Sequence, residues 1–244
     1  MIGHPSEFHR LFDLPDSGVR AMSSLRVGGL SRSPFSSFNL ADHVGDDPNC
    51  VAGNRQTLVG LGGMPGQPVW LNQVHGNRVI EVIYPSIHDE SLTADGATTR
   101  QKGVVLGVLT ADCLPILLSS ADGKRIASVH AGWRGIVSDV LEVAVSMFNA
   151  NEGILAWIGP GIGACHFEVG PEFKDWFPSV FFHPGHRPGH DYLDLMGVAE
   201  ARLRAAGVSQ VVQANLCTVC SVDRFFSYRK EGDTGRMVTA IWRQ

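Results

Sequence analysis

Thr110-Ala-Asp112-Cys113-Leu-Pro115-Ile-Leu-Leu-Ser-Ser-Ala-Asp-Gly-Lys-Arg125-Ile-Ala-Ser-Val-His130-Ala-Gly-Trp-Arg134-Gly135 is the stretch on which the fold turns. The apolar run Gly103 to Leu109 precedes it and ends at Thr110-Ala111-Asp112-Cys113. Inside it, the run Arg125 to Val129 ends at His130-Ala131-Gly132-Trp133-Arg134. Short runs rich in Val, Ile and Leu, bounded by Gly and Asp turn signals, read as buried strands. A thiol and an imidazole therefore stand at two strand ends. In open α/β sheets ligands sit in the crevice outside the carboxyl ends of the strands, so reactive side chains there point to a site.

On the C-terminal side of this stretch, Ile136 to Asn149 reads as one amphipathic helix, with Val137, Val140, Leu141, Ala144, Val145 and Phe148 on one face and Gly153 as its stop. Leu155 to Ile158 reads as a strand feeding Gly159-Pro-Gly-Ile-Gly163-Ala-Cys165-His166. That segment fits neither the dinucleotide fingerprint nor a P-loop, for it lacks the Gly-Lys-Ser/Thr end, and reads as a tight turn lining a pocket. Pro171 to Phe177 is a short helix, Asp194 to Ala206 a longer one closed by Gly207, Val208 to Gln213 a strand, and 236–242 the final strand. On the N-terminal side, Pro48 to Gly60 is a helix with Pro at its first turn. Pro68 to Gln73 and Arg78 to Ile83 read as a hairpin turned by Gly76-Asn77. Residues 1–25 form a lead-in and 26–244 one catalytic domain. The sum is a single layered α/β domain, with a mixed β-sheet flanked by helices.

The length of 244 residues is ample for one buried core. With 44% hydrophobic and 18% charged residues the composition is that of a soluble globular protein. A net charge of −4 without a basic cluster argues against nucleic acid as a partner. The longest apolar region, Gly103 to Leu118, is broken by Asp112 and Pro115 and is too short for a bilayer, which needs ~20 apolar residues, so no membrane partner is expected. The first residues show no basic segment followed by an apolar core. Five cysteines, an odd number, then read as reduced thiols, pointing to a cytoplasmic protein.

Ala111-Asp112-Cys113-Leu-Pro-Ile-Leu117, paired with Val129-His130-Ala-Gly-Trp-Arg134-Gly135, resembles the YfiH-type family. Its members, once called laccase-domain or multicopper polyphenol oxidase proteins, are now read as zinc-dependent purine nucleoside phosphorylases with adenosine deaminase activity. Further matches are Asn39-Leu40 followed by His43-Val-Gly-Asp46, Asn72-Gln73-Val74-His75-Gly76, Ala94-Asp95-Gly96 and the ending Ser227-Tyr228-Arg229-Lys230 with Thr234-Gly235-Arg236. They run from about Arg26 to Trp242. Lys230 stands where a second Arg is common in the family, keeping the charge but losing a bidentate fork.

The resemblance implies a YfiH-like, cysteine-hydrolase-type fold and one zinc per chain held by His75, Cys113 and His130. Two imidazoles and a thiolate are a sufficient protein set for a catalytic zinc that keeps its fourth position open. Cys113 and His130 are thereby catalytic as well as ligating. Asp112, beside the ligand cysteine, is the expected acid/base, with Asp95 and Glu168 behind it; the competing role for Asp112 is orienting a ligand histidine. Phosphate, the co-substrate beside the purine nucleoside, needs cationic forks, and Arg134 and Arg229 are the expected ones, followed by Arg236 and Arg26. Asn39, His43 and Gln73 are expected at the substrate.

Three other readings fit parts of the pattern. Cys113 as nucleophile with His130 as its base would make a cysteine hydrolase. A Cys-His-His set also suits copper, the metal of the older family name, although His and Met clustering beyond it is sparse. A non-catalytic binding protein would leave both strand ends structural. Cys217-Thr-Val-Cys220 has the spacing of a metal knuckle, but no second ligand pair stands near it in the sequence, so it reads as two buried thiols. Pro184 to Gly189 reads as a surface loop without metal.

Overall fold

The computed structural model describes residues 18–83, 92–149 and 151–244. In chain order the elements are β1 (Val19–Ser23), α1 (Pro48–Gly62), β2 (Val79–Glu81), β3 (Gly96–Thr99), β4 (Val105–Thr110), β5 (Leu114–Ser120) and β6 (Ile126–Ala131). There follow α2 (Trp133–Val137), α3 (Val140–Ser146), β7 (Ile154–Ile158), β8 (Glu168–Val169), β9 (Phe182–Pro184), β10 (Asp191–Leu193), α4 (Leu195–Ala205), β11 (Val208–Gln213), α5 (Tyr228–Glu231) and β12 (Met237–Arg243).

Two sheets carry the fold. A six-stranded mixed sheet has the order β11-β7-β5-β6-β3-β2, with β11/β7 and β3/β2 parallel and the central pairs antiparallel. A three-stranded antiparallel sheet, β1-β12-β4, lies against it. Strand alternation sorts the side chains into layers. Leu117 and Ile126 of the large sheet meet Val19, Leu106 and Ile241 of the small one in the core between them. Leu114, Ile116, Leu118, Ala127 and Val129 point the other way, under α3 and α4. Val238, Ala240 and Trp242 leave the small sheet on its far side and pack beneath α1 through Leu58. Covered on both faces, β4, β5 and β6 are buried along their whole length, which is why β4 and β6 read as largely apolar runs. A minor sheet, β8-β10-β9, closes one flank.

Several elements depart from the sequence reading. Val19–Ser23, assigned to the lead-in, is a strand paired residue by residue with the end of the chain from Val19↔Arg243 to Ser23↔Thr239; residues 1–17 lie outside the described ones. The hairpin does not form. Val69 bridges Leu106 and Asn72 bridges Thr93, while β2 runs parallel to β3, so the Gly76-Asn77 signal turns the chain around the side chain of Asp95, just ahead of β3. The helix expected over 136–149 breaks at Asp139, which takes a left-handed backbone (φ 66°). Asp tolerates that conformation better than most residues, and Arg202 holds its carboxylate at 2.7 Å. β5 was not singled out, because Asp112 and Pro115 disguise its start. Two helix caps follow the rules instead: Asp47 accepts from Asn49 N ahead of Pro48, and Gly63 (φ 58°) closes α1.

Leu117 is fully buried between the sheets. Leu117→Ala is expected to lower the unfolding free energy by about 2–5 kcal/mol in urea titrations followed by circular dichroism; a change below about 1 kcal/mol would mean the two sheets do not share that core.

Candidate metal centre

Cys113 lies where the chain crosses from one sheet to the other. β4 ends the small sheet at Thr110, β5 begins in the large sheet at Leu114, and Ala111-Asp112-Cys113 spans the gap. The antiparallel register Leu114↔Ala131 and Pro115↔His130 sets the start of β5 beside the end of β6, so the thiol meets the imidazole. The crossing requires a positive φ at Asp112 (88°). A non-glycine residue holds that conformation only when its surroundings impose it, and here they do. Asp112 Oδ1 accepts from Thr218 Oγ1 (2.6 Å) and Ser227 Oγ (2.7 Å), and Oδ2 accepts from Arg229 N (2.6 Å). Its carbonyl accepts from Ile162 N at 2.7 Å.

The third donor, His75, arrives on the turn that replaces the expected hairpin, itself with φ 60°. The turn wraps the fully buried carboxylate of Asp95, which accepts from the N–H groups of Val74 (3.2 Å), His75 (2.9 Å) and Gly76 (2.7 Å). The same carboxylate lies 2.8 Å from His130 Nδ1. One side chain thus places both histidines, and with Nδ1 of His130 turned to Asp95, Nε2 is the ring nitrogen left for a ligand. Gly132 is needed for the approach: a Cβ there would stand 3.0 Å from Cys113 Sγ and 3.1 Å from the His75 ring.

The ligand atoms of His75, Cys113 and His130 all lie within 4.8 Å of one another, with Cys113 Sγ 3.8 Å from His75 Nε2. A tetrahedral ion with a metal–sulfur bond of about 2.3 Å and a metal–nitrogen bond of about 2.0 Å would hold sulfur and nitrogen about 3.5 Å apart. The carboxylate–histidine pairing is the arrangement that orients metal-ligating histidines. The residues present therefore fit a metal ion with two nitrogen donors and one sulfur. The electrostatics agree. Burial opposes ionisation of Cys113, but His130 and His75 overcome it and hold the thiol well below its ordinary pKa. Burial likewise opposes the charged form of His130, and Cys113 with Asp95 raises its pKa regardless. Asp95 stays ionised despite its burial because His130 and the N–H groups of Gly76 and Val74 stabilise its charge.

The centre lies in a cleft of about 590 Å³. Trp133, Ile162, Phe167 and Leu195 give it apolar wall, while His43, Tyr228, Arg134, Arg229 and Arg236 bring polar and cationic groups. Arg229 Nη1 donates to the carbonyls of His166 and Glu168, and its guanidinium lies over Phe167, so it is held in place. Arg134 stacks on Trp133 with 4.3 Å between guanidinium carbon and ring centroid.

Other expected site residues have different surroundings. Gln73 borders the cleft, but both ends of its amide bond the backbone of Leu109, each at 2.8 Å, which pins the His75 turn to β4. Asn39 is fully buried and does not line the cleft; its side chain joins Ala41, Asp46 and the backbone N–H of Arg236. Glu168 is held by Arg187 and Arg26 by Glu231, both outside the cleft. Sequence reasoning passed over Trp133, Phe167 and Tyr228 as cleft residues, although Trp133 sits inside the Gly-Trp-Arg signature.

This is the fold and site of an α/β protein built around a Cys-His-His centre in a cleft at a crossing between sheets. The chain belongs to the family whose model is described as multi-copper polyphenol oxidoreductase laccase, which matches residues 20–244. It is 43% identical over 230 residues to purine nucleoside phosphorylase YfiH of Escherichia coli, covering 92% of this chain and 94% of that one. To a purine nucleoside phosphorylase of Haemophilus influenzae it is 40% identical, with the same coverage. Among solved structures, a DUF152 protein of Neisseria meningitidis superposes with a TM-score of 0.86 at 35% identity, over 93% of this chain and 95% of that one. YlmD of Geobacillus stearothermophilus gives 0.84 at 31%, over 93% and 92%.

Two outcomes are expected of the centre. Asp95→Asn weakens metal binding about 10–100-fold in competition with a chromophoric chelator; unchanged affinity would mean the carboxylate does not orient His130. In metal-free protein, Cys113 alkylation followed by peptide mass spectrometry stays fast as the pH falls to 7, because its lowered pKa preserves the thiolate there. The denatured chain slows below its thiol pKa of about 8.5.

Proposed function

We propose that the chain is a zinc-dependent purine nucleoside phosphorylase, converting adenosine, inosine and guanosine with phosphate to the free base and ribose 1-phosphate, and that the same centre deaminates adenosine. The observation that carries this reading is the junction of the two-nitrogen, one-sulfur donor set with a cleft lined by both aromatic rings and arginines. The names of the relatives supply the substrate class. His75, Cys113 and His130 would hold the zinc, with the fourth position open to the cleft. Bound zinc supplies a Lewis acid that holds and polarises an oxygen.

In phosphorolysis a phosphate oxygen bonds to C1′ of the ribose as the bond from C1′ to N9 breaks, and the base leaves with that electron pair and takes up a proton. Arg134 and Arg229 would bind the phosphate, joined by Arg236, which lines the same cleft. Each is a guanidinium whose planar fork suits phosphate oxygens. Trp133 and Phe167, which carry Arg134 and Arg229 over their rings, border the cleft with apolar surface against which a purine would pack. We assign Asp112 a positioning role in place of proton transfer, because Thr218, Ser227 and Arg229 N already occupy its oxygens. It fixes the backbone on which Cys113 and Arg229 stand. His43, exposed at the rim, and the cleft-bordering Gln73 remain assigned to the substrate side.

The paired thiolate and imidazolium favour one other reading, a cysteine hydrolase in which Cys113 attacks an acyl carbon. The two readings are exclusive, because a metal-bound thiolate is not available as a nucleophile. Zinc and copper are counted per chain in protein purified without added metal, and adenosine and inosine turnover is followed with and without phosphate. The phosphorylase reading expects inosine cleavage that requires phosphate, and Cys113→Ala to lose both that activity and about one zinc per chain. Wild-type protein that carries no metal as purified, before any chelator is added, and whose Cys113 alkylates readily points to the hydrolase; one copper at this centre, to the oxidase. Arg134→Ala is expected to raise the phosphate KM about tenfold or more, the loss of one charge-assisted hydrogen bond. An unchanged phosphate KM would remove Arg134 from the phosphate site.

A further inference from the structure

A second group of metal-type donors stands outside the cleft: Cys165, His166, Cys217 and Cys220. The first two lie on the glycine-rich turn after β7 and the other two on the turn after β11. The parallel pairing of these strands continues beyond their ends. Gly161 bridges Cys217, Gly161 N donates to Leu216 O, and Thr218 N donates to Gly161 O. The two turns are thereby held face to face, and all four ligand atoms lie within 4.8 Å of one another.

The spacing is that of a coordination shell. Cys165 Sγ and Cys220 Sγ are 3.5 Å apart, and His166 Nδ1 lies 3.2, 3.7 and 3.5 Å from the sulfurs of Cys165, Cys217 and Cys220. Around one tetrahedral zinc, bond lengths of about 2.3 Å to sulfur and 2.0 Å to nitrogen imply sulfur–sulfur separations of about 3.8 Å and sulfur–nitrogen separations of about 3.5 Å. A disulfide would need sulfurs about 2.0 Å apart. The backbone is shaped for thiolate as well. Gly163 N donates to Cys217 Sγ at 3.3 Å. N–H groups of Cys220 and Val219 also face the Cys217 sulfur. Val219 and Cys220 are the second and third residues after the first cysteine of a Cys-x-x-Cys turn. Gly163 itself must be small, since a Cβ there would sit 3.1 Å from Cys217 Cβ and 3.4 Å from Cys165 Sγ.

We propose that Cys165, His166, Cys217 and Cys220 bind a second zinc ion, a closed tetrahedral site with three sulfur donors and one nitrogen. With no position left for water or substrate, its role is structural. It corrects the reading of Cys217 and Cys220 as buried thiols: Cys220 and Cys165 are exposed and Cys217 is half-buried. The missing ligand pair is Cys165-His166, some fifty residues upstream. What the clasp holds is the floor of the cleft. Thr218, between the two knuckle cysteines, donates to Asp112, and the His166 carbonyl accepts from Arg229. The ion would thus position the residues that fix Cys113 and the phosphate-binding arginine without touching substrate.

The test uses the full chain carrying Cys113→Ala, which removes the cleft centre, so that the result does not depend on the phosphorylase reading. Zinc per chain is measured by plasma mass spectrometry, and cobalt-loaded protein is examined for the intense visible absorption of tetrahedral thiolate coordination. About one zinc per chain and that absorption are expected, both lost on adding Cys165→Ser or Cys220→Ser at the exposed positions. If Cys113→Ala does not fold, wild-type protein serves, with about two zinc ions per chain falling to about one in C220S. No metal in the Cys113→Ala protein, or a zinc count that C165S and C220S leave unchanged, overturns the proposal. So does a Cys165–Cys220 disulfide in peptides from protein purified under reducing conditions.

Discussion

A carboxylate with no exposed surface, Asp95, is the constraint from which the centre follows. An isolated buried charge costs several kcal/mol. Asp95 meets that cost with three consecutive backbone N–H groups and the imidazole of His130, all at 2.7–3.2 Å. The three N–H groups belong to the turn that carries His75, and the imidazole stands at the end of β6. Removing the carboxylate would therefore free one histidine to rotate and leave the turn of the other without its core. The charge is also linked to Cys113, because an imidazole kept proton-rich by Asp95 stabilises the neighbouring thiolate.

Around this pair the two-sheet architecture acts as a frame. Cys113 occupies the crossing between β4 and β5, so the position of the thiol depends on both sheets at once. Asp112 locks the crossing by bonding to Thr218, Ser227 and Arg229 N, all from the C-terminal third of the chain. Segments more than a hundred residues apart in sequence are held together in one hydrogen-bond cluster. Groups held by such bonds before ligand arrives lose less free energy on ordering when it binds.

Much of this was legible in the sequence, and the parts that were not share a cause. Buried strands β4, β6, β7 and β12 announced themselves as apolar runs, and α1 and α4 by caps and periodicity, because those signals are local. The pairing partners were not local. Gly76-Asn77 carries the composition of a hairpin turn, yet it serves to enclose Asp95, twenty residues on, and nothing in either segment records the other. Asp139 interrupts a helix whose apolar face continues unbroken through Phe148. His75, Cys113 and His130 came together through family resemblance alone; their spacing in the chain carried no geometric information. Asn39 and Gln73 lie in matching motifs too, and the motifs do not record that the Asn39 amide bonds Ala41, Asp46 and Arg236 N or that the Gln73 amide bonds the backbone of Leu109.

On this reading Asp95 and the crossing at Asp112 assemble a metal centre from His75, Cys113 and His130. An anomalous-difference map at the zinc absorption edge, from crystals grown without added metal, tests it most directly. The account predicts a peak within bonding distance of Cys113 Sγ and of one nitrogen of each histidine, with the His130 ring still bonded to Asp95 through Nδ1. Density that ends at a free Cys113 thiol, with no peak between the three side chains, would contradict it.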